Sequence, residues 1–153
     1  MADTKGCTDM FKICYVLYKG SHIAGAEQSL LNLIREIAKR DVKITAVCET
    51  YWPEIEGDLR ELEVKFDVIR GVRPLRRIEE SQKIVSFVKG IIKKIIIKVS
   101  IPYAIWYLRK NKVDIVHANT SYVSPALLYA SKILRIPYVY HIREFLDRDV
   151  QFQ

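Results

Sequence analysis

Two histidines close short apolar runs in this sequence. His117 follows Val113-Asp114-Ile115-Val116, and His141 follows Pro137-Tyr138-Val139-Tyr140. Imidazole donates, accepts and titrates near neutrality, so a histidine at such a place can serve a ligand. Each is trailed by polar side chains: Asn119 after the first, Arg143 and Glu144 after the second. A third polar segment, Lys19 to Gly25, follows the apolar run Phe11 to Leu17 and ends in Ala24-Gly25-Ala26. Small residues there let a ligand approach the backbone, and free amides at a helix start favour an anion such as phosphate. The segment is neither a GxGxxG fingerprint nor a Gly-Lys-Ser/Thr phosphate loop, and a tight turn accounts for it equally well. His117 reads both as a ligand group and as a structural histidine. Arg143 and Glu144 read as solvated charges or as holders of hydroxyls or phosphate. His22, in the first loop, is a weaker candidate. His141 is the strongest.

The elements that must position these residues follow from hydrophobic period. Phe11 to Leu17 is a short, mostly apolar run and predicts a buried strand. Leu30, Leu33, Ile34 and Ile37 recur at helical spacing, which predicts a helix from about Ala26 to Lys39. Asp41 to Cys48 predicts a second strand, parallel to the first because a helix crosses between them. Tyr51 to Asp58, with Pro53 and Gly57, reads as a turn, and Val64 to Ile69 as a third strand. Ile84, Val88, Ile91, Ile92, Ile95 and Val99 predict a helix. Pro102 is expected to bend or end it, with Tyr103 to Lys110 continuing beyond the break. Val113 to His117 is the next strand. Ser124-Pro125 opens a capped helix through Leu134, and Pro137 to Ile142 is the last strand. Alternating strands and helices predict an α/β fold, a Rossmann-like parallel sheet with helices on both faces. In such sheets ligands bind beyond the carboxyl ends of the strands, where all three polar segments fall.

The chain has 153 residues, half of them hydrophobic, enough for one domain with a buried core. Residues 1–10 are expected to be a flexible terminus and residues 11–153 the domain. Cys7, Cys14 and Cys48 have no CxxC spacing and read as free thiols, Cys14 and Cys48 buried in strands; a cytoplasmic setting is expected. The start is polar, without the pattern of a signal peptide, and lysines interrupt the longest apolar run. The net charge of +7 is uneven: between Arg70 and Lys110 eleven basic residues face only Glu79 and Glu80. Ile91, Ile92 and Ile95 to Ile97 with Lys89, Lys93, Lys94 and Lys98 fit a solvated surface helix or one lying on an anionic membrane. Nucleic acid is not expected, since no recognition motif accompanies the charge.

Three motifs, in one order, carry a family resemblance. Ala24-Gly25-Ala26-Glu27-Gln28-Ser29-Leu30-Leu31-Asn32-Leu33 resembles the GGAE helix start of the family 4 glycosyltransferases. Asp114-Ile115-Val116-His117-Ala118-Asn119 resembles their DVVHaH strand end, and Arg135-Ile136-Pro137-Tyr138-Val139-Tyr140-His141 their GIPvVyt.H strand. The resemblance implies one half of a GT-B architecture, in which two Rossmann-like domains face across a cleft. It implies a nucleotide-sugar donor, a glycan or lipid-linked acceptor, retention of anomeric configuration, and no required metal or other cofactor. It sets Gly25, with Ala24 and Ala26, beside the donor phosphates, and His141 against the donor sugar or its phosphate as the catalytic candidate. Asn119 stands where the family has a second histidine, and Ala24 where it has a first glycine. Members acting on lipid-linked acceptors dock on membranes, which supports peripheral attachment through Lys89, Lys93, Lys94 and Lys98. The family's second domain, which carries most of the nucleotide-sugar site, is not in these residues. The chain is therefore expected to transfer no sugar alone, either as a fragment of a longer protein or as one subunit of a split enzyme whose second chain carries that domain. The alternative expectation is a non-catalytic scaffold that recruits a partner at the membrane.

Overall fold

A computed structural model describes residues 10–19, 25–69, 83–119 and 124–141, the side chains of Ala26 and of residues 83–94 excepted. In chain order the elements are β1 (Phe11–Val16), α1 (Gly25–Ile37), β2 (Val42–Cys48), α2 (Pro53–Glu61), β3 (Lys65–Val68), α3 (Lys83–Lys110), β4 (Ile115–Ala118), α4 (Pro125–Leu134) and β5 (Tyr138–Tyr140). The five strands form one sheet in the order β3-β2-β1-β4-β5, and every pairing is parallel. This is the doubly wound α/β arrangement expected from the alternation of strands and helices.

Strand alternation divides the core between the two faces of the sheet. Tyr15, Leu17, Ile44, Ala46 and Cys48 point to one face and pack with Leu30, Leu31 and Ile34 of α1 and Ile55 and Leu59 of α2. Cys14, Val16, Val47, Val116 and Ala118 point to the other and pack with Ala104, Tyr107 and Leu108 of α3 and Ala126, Leu127 and Ala130 of α4. Each fully buried large apolar side chain contributes about 1.5–3 kcal/mol. Cys14 and Cys48 are buried free thiols, as expected; Cys7 lies outside the described residues. Burial pushes the Cys14 thiol up to about 12. The Tyr107 hydroxyl donates to Asp67 Oδ2 at 2.8 Å while Lys65 pairs with the same oxygen at 2.6 Å, so α3 is tied to the edge strand β3.

Two expectations are corrected. The turn expected over Tyr51 to Asp58 is instead mostly helix α2. Pro53 occupies its first turn, where a missing N–H costs nothing, and Ile55 and Leu59, one turn apart, bury a single stripe. Gly57 is tolerated because it faces open space. Second, α3 does not end at Pro102 but continues as one helix to Lys110. Pro102 sits on the exposed side of the helix, while Ala104, Tyr107 and Leu108 seal the following turns against the core. Ser100 Oγ donates to the Ile96 carbonyl at 2.7 Å in the turn before it. The cap at Ser124 forms as expected: its hydroxyl accepts the Leu127 N–H at 3.4 Å, with Pro125 in the first turn.

Candidate functional site

The order of the strands selects one end of the sheet. From β1 the chain builds outward through β2 and β3, then returns to the other side of β1 with β4 and β5. The carboxyl ends of β1 and β4 are therefore neighbours, and the helices that follow them, α1 and α4, pack on opposite faces of the sheet, the arrangement at which such sheets form a ligand crevice.

Backbone hydrogen bonds pin the strand ends at this crevice. The Asn119 N–H donates to the Val16 carbonyl at 3.3 Å, and the His141 N–H donates to the Ala118 carbonyl at 2.9 Å. Tyr15 and His117 are register partners on β1 and β4, so their side chains leave the same face. Their rings lie 5.0 Å apart, and the His117 ring stacks on His141 at 5.8 Å with 25° between the planes. A row of three rings thus crosses β1, β4 and the end of β5. Its members differ in exposure: Tyr15 is buried, His117 half-buried and His141 exposed. Burial holds the Tyr15 hydroxyl above its ordinary pKa, so it is a neutral backing for the imidazoles.

Helix α1 starts at Gly25, on the face that carries the ring row. A side chain built at Gly25 would meet nothing within 4 Å, so the glycine marks open space at the helix start rather than a tight packing contact. Glu27, in the first turn, is only 8% exposed. An acid there is favoured by the helix dipole. Lys19 Nζ donates to the Tyr51 carbonyl at 3.1 Å and ties the segment after β1 to the start of α2.

The structure brings together His117, Asn119 and His141 at the ends of β4 and β5. Asn119 is buried, not exposed in the crevice. Gly25 opens α1, and nothing is described of the Ala26 side chain. Ala24, His22, Arg143 and Glu144 lie outside the described residues. Of the lysines on α3, Lys98 is exposed, and the side chains of Lys89, Lys93 and Lys94 lie outside the described residues. Sequence reasoning missed Tyr15, whose place in the row depends on its register opposite His117. It also gave no role to Glu27, whose signal was its position in the first turn of α1. Among the described residues no three His, Cys, Asp or Glu side chains converge as a metal site requires.

A second surface lies away from the crevice. Ile95, Ile96, Val99, Tyr103 and Trp106 are each about half exposed or more and fall on one side of α3, opposite Ala104 and Leu108. The Tyr103 and Trp106 rings stack at 5.5 Å, and Lys110 Nζ lies 4.6 Å above the Trp106 ring. No helix among the described residues is long and apolar enough to cross a membrane.

Comparison with known proteins bears on the fold and the family. The family profile of Glycosyltransferase Family 4 matches residues 23–148. Among solved structures, the chain is similar to MurG of Acinetobacter baumannii, at 17% identity and a TM-score of 0.60, over 86% of this chain and 35% of that one. It is similar to a glycosyltransferase of Rickettsia africae, at 12% identity and a TM-score of 0.55, over 86% and 29%. It is similar also to CalG4, the calicheamicin glycosyltransferase, at 14% identity and a TM-score of 0.57, over 93% and 33%. The chain spans about a third of the length of these structures. It has no significant match among curated proteins. Its fold is one Rossmann-like half of the GT-B architecture.

Proposed function

The chain belongs to Glycosyltransferase Family 4, and from that premise we propose that it is the acceptor-side domain of a retaining enzyme that moves a sugar from a nucleotide-sugar to a glycan or lipid-linked acceptor. The observation that carries this reading is the row Tyr15–His117–His141 at the switch point, on the face of the sheet that α1 covers. The free amides of the first turn of α1, from Gly25 onward, suit a donor phosphate. His141, exposed at the end of the row, can hydrogen-bond a sugar hydroxyl or a phosphate oxygen. His117 acts through it, as the ring on which His141 rests. Arg143, Glu144 and Ala24 adjoin these positions in the sequence and are proposed to bind substrate with them. The reading also assigns the rest of the donor site to a second GT-B domain, so that this chain by itself turns over no sugar.

Titration of the isotopically labelled chain with a panel of nucleotide-diphosphate sugars tests this. The expected result is movement of the Gly25 amide and of the His141 ring signals, reduced in His141→Ala. Absence of movement at both positions overturns the site. Robust sugar transfer by the 153 residues alone overturns the need for a second domain.

The exposed side of α3 favours a second reading, in which the domain recruits its partner at a membrane. Ile95, Val99, Tyr103 and Trp106 supply an apolar stripe, and Lys98, Arg109 and Lys110 are exposed basic residues of the same helix. An exposed apolar stripe flanked by basic residues suits an anionic lipid surface. Lys89, Lys93 and Lys94 add charge to the earlier turns of α3. The chain is expected to float with vesicles rich in anionic lipid and not with neutral ones, and Val99→Glu with Trp106→Glu is expected to abolish flotation. Flotation unchanged by that pair would sink the assignment to α3.

A further inference from the structure

The four helices divide their exposed surface unequally between the two faces of the sheet. Helices α1 and α2 cover one face, α3 and α4 the other. Among the described residues of the helices, every large apolar side chain left exposed belongs to α3 or α4. Those of α3 run from Ile95 to Trp106, and α4 adds Tyr129 at 51% and Ile133 at 59%, one helical turn apart. Ala126, Leu127, Ala130 and Ser131 hold the core side of α4, so Tyr129 and Ile133 look outward, as the α3 stripe does. The exposed positions of α1 and α2 are instead taken by side chains such as Gln28, Asn32, Glu36, Glu54, Arg60 and Glu61.

Charge follows the same division. Neither α3 nor α4 contains an Asp or Glu, while α3 carries seven basic residues and α4 one. Helix α2 sets Glu54, Glu56, Asp58 and Glu61 against Arg60 alone. An outer layer that is apolar and basic, with no acid, complements a surface that is negative above and apolar below, which is an anionic bilayer. A second copy of the chain would offer the same positive layer, and like charges brought together at an interface repel.

Length sets this layer beside the crevice. Helix α3 has 28 residues and is about 42 Å long, whereas the six residues of β1 span about 20 Å. The end of α3 is fixed at the amino ends of the strands: the Val113 N–H donates to the Leu108 carbonyl at 3.0 Å, and the Asp114 N–H to the Lys12 carbonyl at 2.9 Å. The excess length therefore runs past the carboxyl ends, on the side of the crevice. Ile95 to Val99 belong to it, and Ser100 is the first buried residue after them.

We propose that the α3–α4 layer as a whole seats the domain on an anionic bilayer, with α1 and α2 turned away from it and the crevice opening along the lipid surface. This seating rests on the membrane reading of α3 and extends it to α4 and to the orientation of the sheet. Lys132 and Arg135, both exposed, meet headgroups beside Tyr129 and Ile133. Tyr103 and Trp106 are aromatic residues of the kind that settle at headgroup level. The sheet then stands about one helix diameter, ~10 Å, above the lipid. An acceptor whose saccharide stands off from a lipid anchor reaches His141 without leaving the bilayer.

The test uses the 153-residue chain with vesicles of phosphatidylglycerol and of phosphatidylcholine. Tyr129→Glu with Ile133→Glu, which leaves α3 untouched, is expected to weaken flotation on phosphatidylglycerol by about ten-fold or more, since it removes two apolar contacts and adds two negative charges. Its circular dichroism should match that of the parent, because both side chains are exposed. Arg35→Gln with Arg60→Gln, on the other face, should float as the parent does. A spin label on the lipid headgroup reads the orientation in the unsubstituted chain. It should broaden the amide signals of Val99, Tyr103, Tyr129 and Ile133 and spare those of Arg35, Glu36, Glu54 and Glu61. Flotation lost in Val99→Glu with Trp106→Glu but unchanged by the α4 pair, or broadening confined to α3, overturns the seating and leaves the reading of α3 alone standing. Failure of the parent chain to float overturns both. Self-association without lipid that the α4 pair abolishes assigns the layer to a second copy and overturns the seating as well.

Discussion

His117 and His141 share a stack but not an environment, and this separates their substitutions. His117 sits between Tyr15 and His141, so His117→Ala removes two ring contacts; such pairs contribute about 0.5–1.5 kcal/mol each. It should lower the unfolding midpoint in urea. His141→Ala removes one contact from an exposed ring and should leave the midpoint nearly unchanged while weakening ligand response at Gly25. Equal destabilisation by the two would contradict the assignment of His117 as the supporting ring. Cys14 gives a pH prediction of defined sign. Its thiol has an ordinary value of 9.0 and is pushed up to about 12 by burial, so the folded state favours the protonated form. The stability this represents is fully present below pH 9 and is lost as the pH rises from there towards 12. Burial raises Tyr107 and Tyr138 in the same direction. Stability measured by urea unfolding should therefore fall steadily above pH 9, and Cys14→Ala should flatten the first part of that fall. A profile unaltered by Cys14→Ala would show that the thiol carries none of it.

At the scale of elements, α2 and α3 show where local reading fails. Proline and glycine punctuate a sequence, yet Pro53 starts a helix and Gly57 and Pro102 lie inside helices. The apolar pairs Ile55 with Leu59 and Ala104 with Leu108 override them, because each buries a stripe against the sheet. The breakers then remain as local costs that substitution can remove. Gly57 is exposed and faces open space, so Gly57→Ala should stabilise by about 0.8–1 kcal/mol, the difference in helix propensity. Loss of stability in this variant would mean that α2 bends at that point. Pro102→Ala should restore a backbone N–H to α3 and raise the thermal midpoint without altering the exposed stripe or vesicle flotation. Helix α4 was fully legible, because Ser124 and Pro125 provide both cap and first turn and need nothing distant.

On the scale of the whole molecule, one sheet is shared by two cores, one under α1 and α2 and the other under α3 and α4. Damage to either should therefore unfold both. Leu127→Ala, on the α4 face, is expected to cost about 2–5 kcal/mol and to shift the fluorescence transition of Trp52, buried on the α1 face, together with the circular dichroism transition. Separate transitions would mean that the faces fold independently. The sequence by itself determined the strands, the two-faced α/β class and the family, because apolar period, capping and strand-end motifs are local properties of the chain. It also brought Gly25, His117 and His141 forward, since the histidines stand where apolar runs end and the glycine where a helical period begins. Only the tertiary structure decided that β1 lies between β2 and β4. That order sets Tyr15 opposite His117, builds the ring row, and leaves the apolar and basic layer of α3 and α4 on the face that α1 and α2 do not cover. Strand order and register arise from packing between segments far apart in the chain, and no local pattern of residue types encodes which strand will be a neighbour.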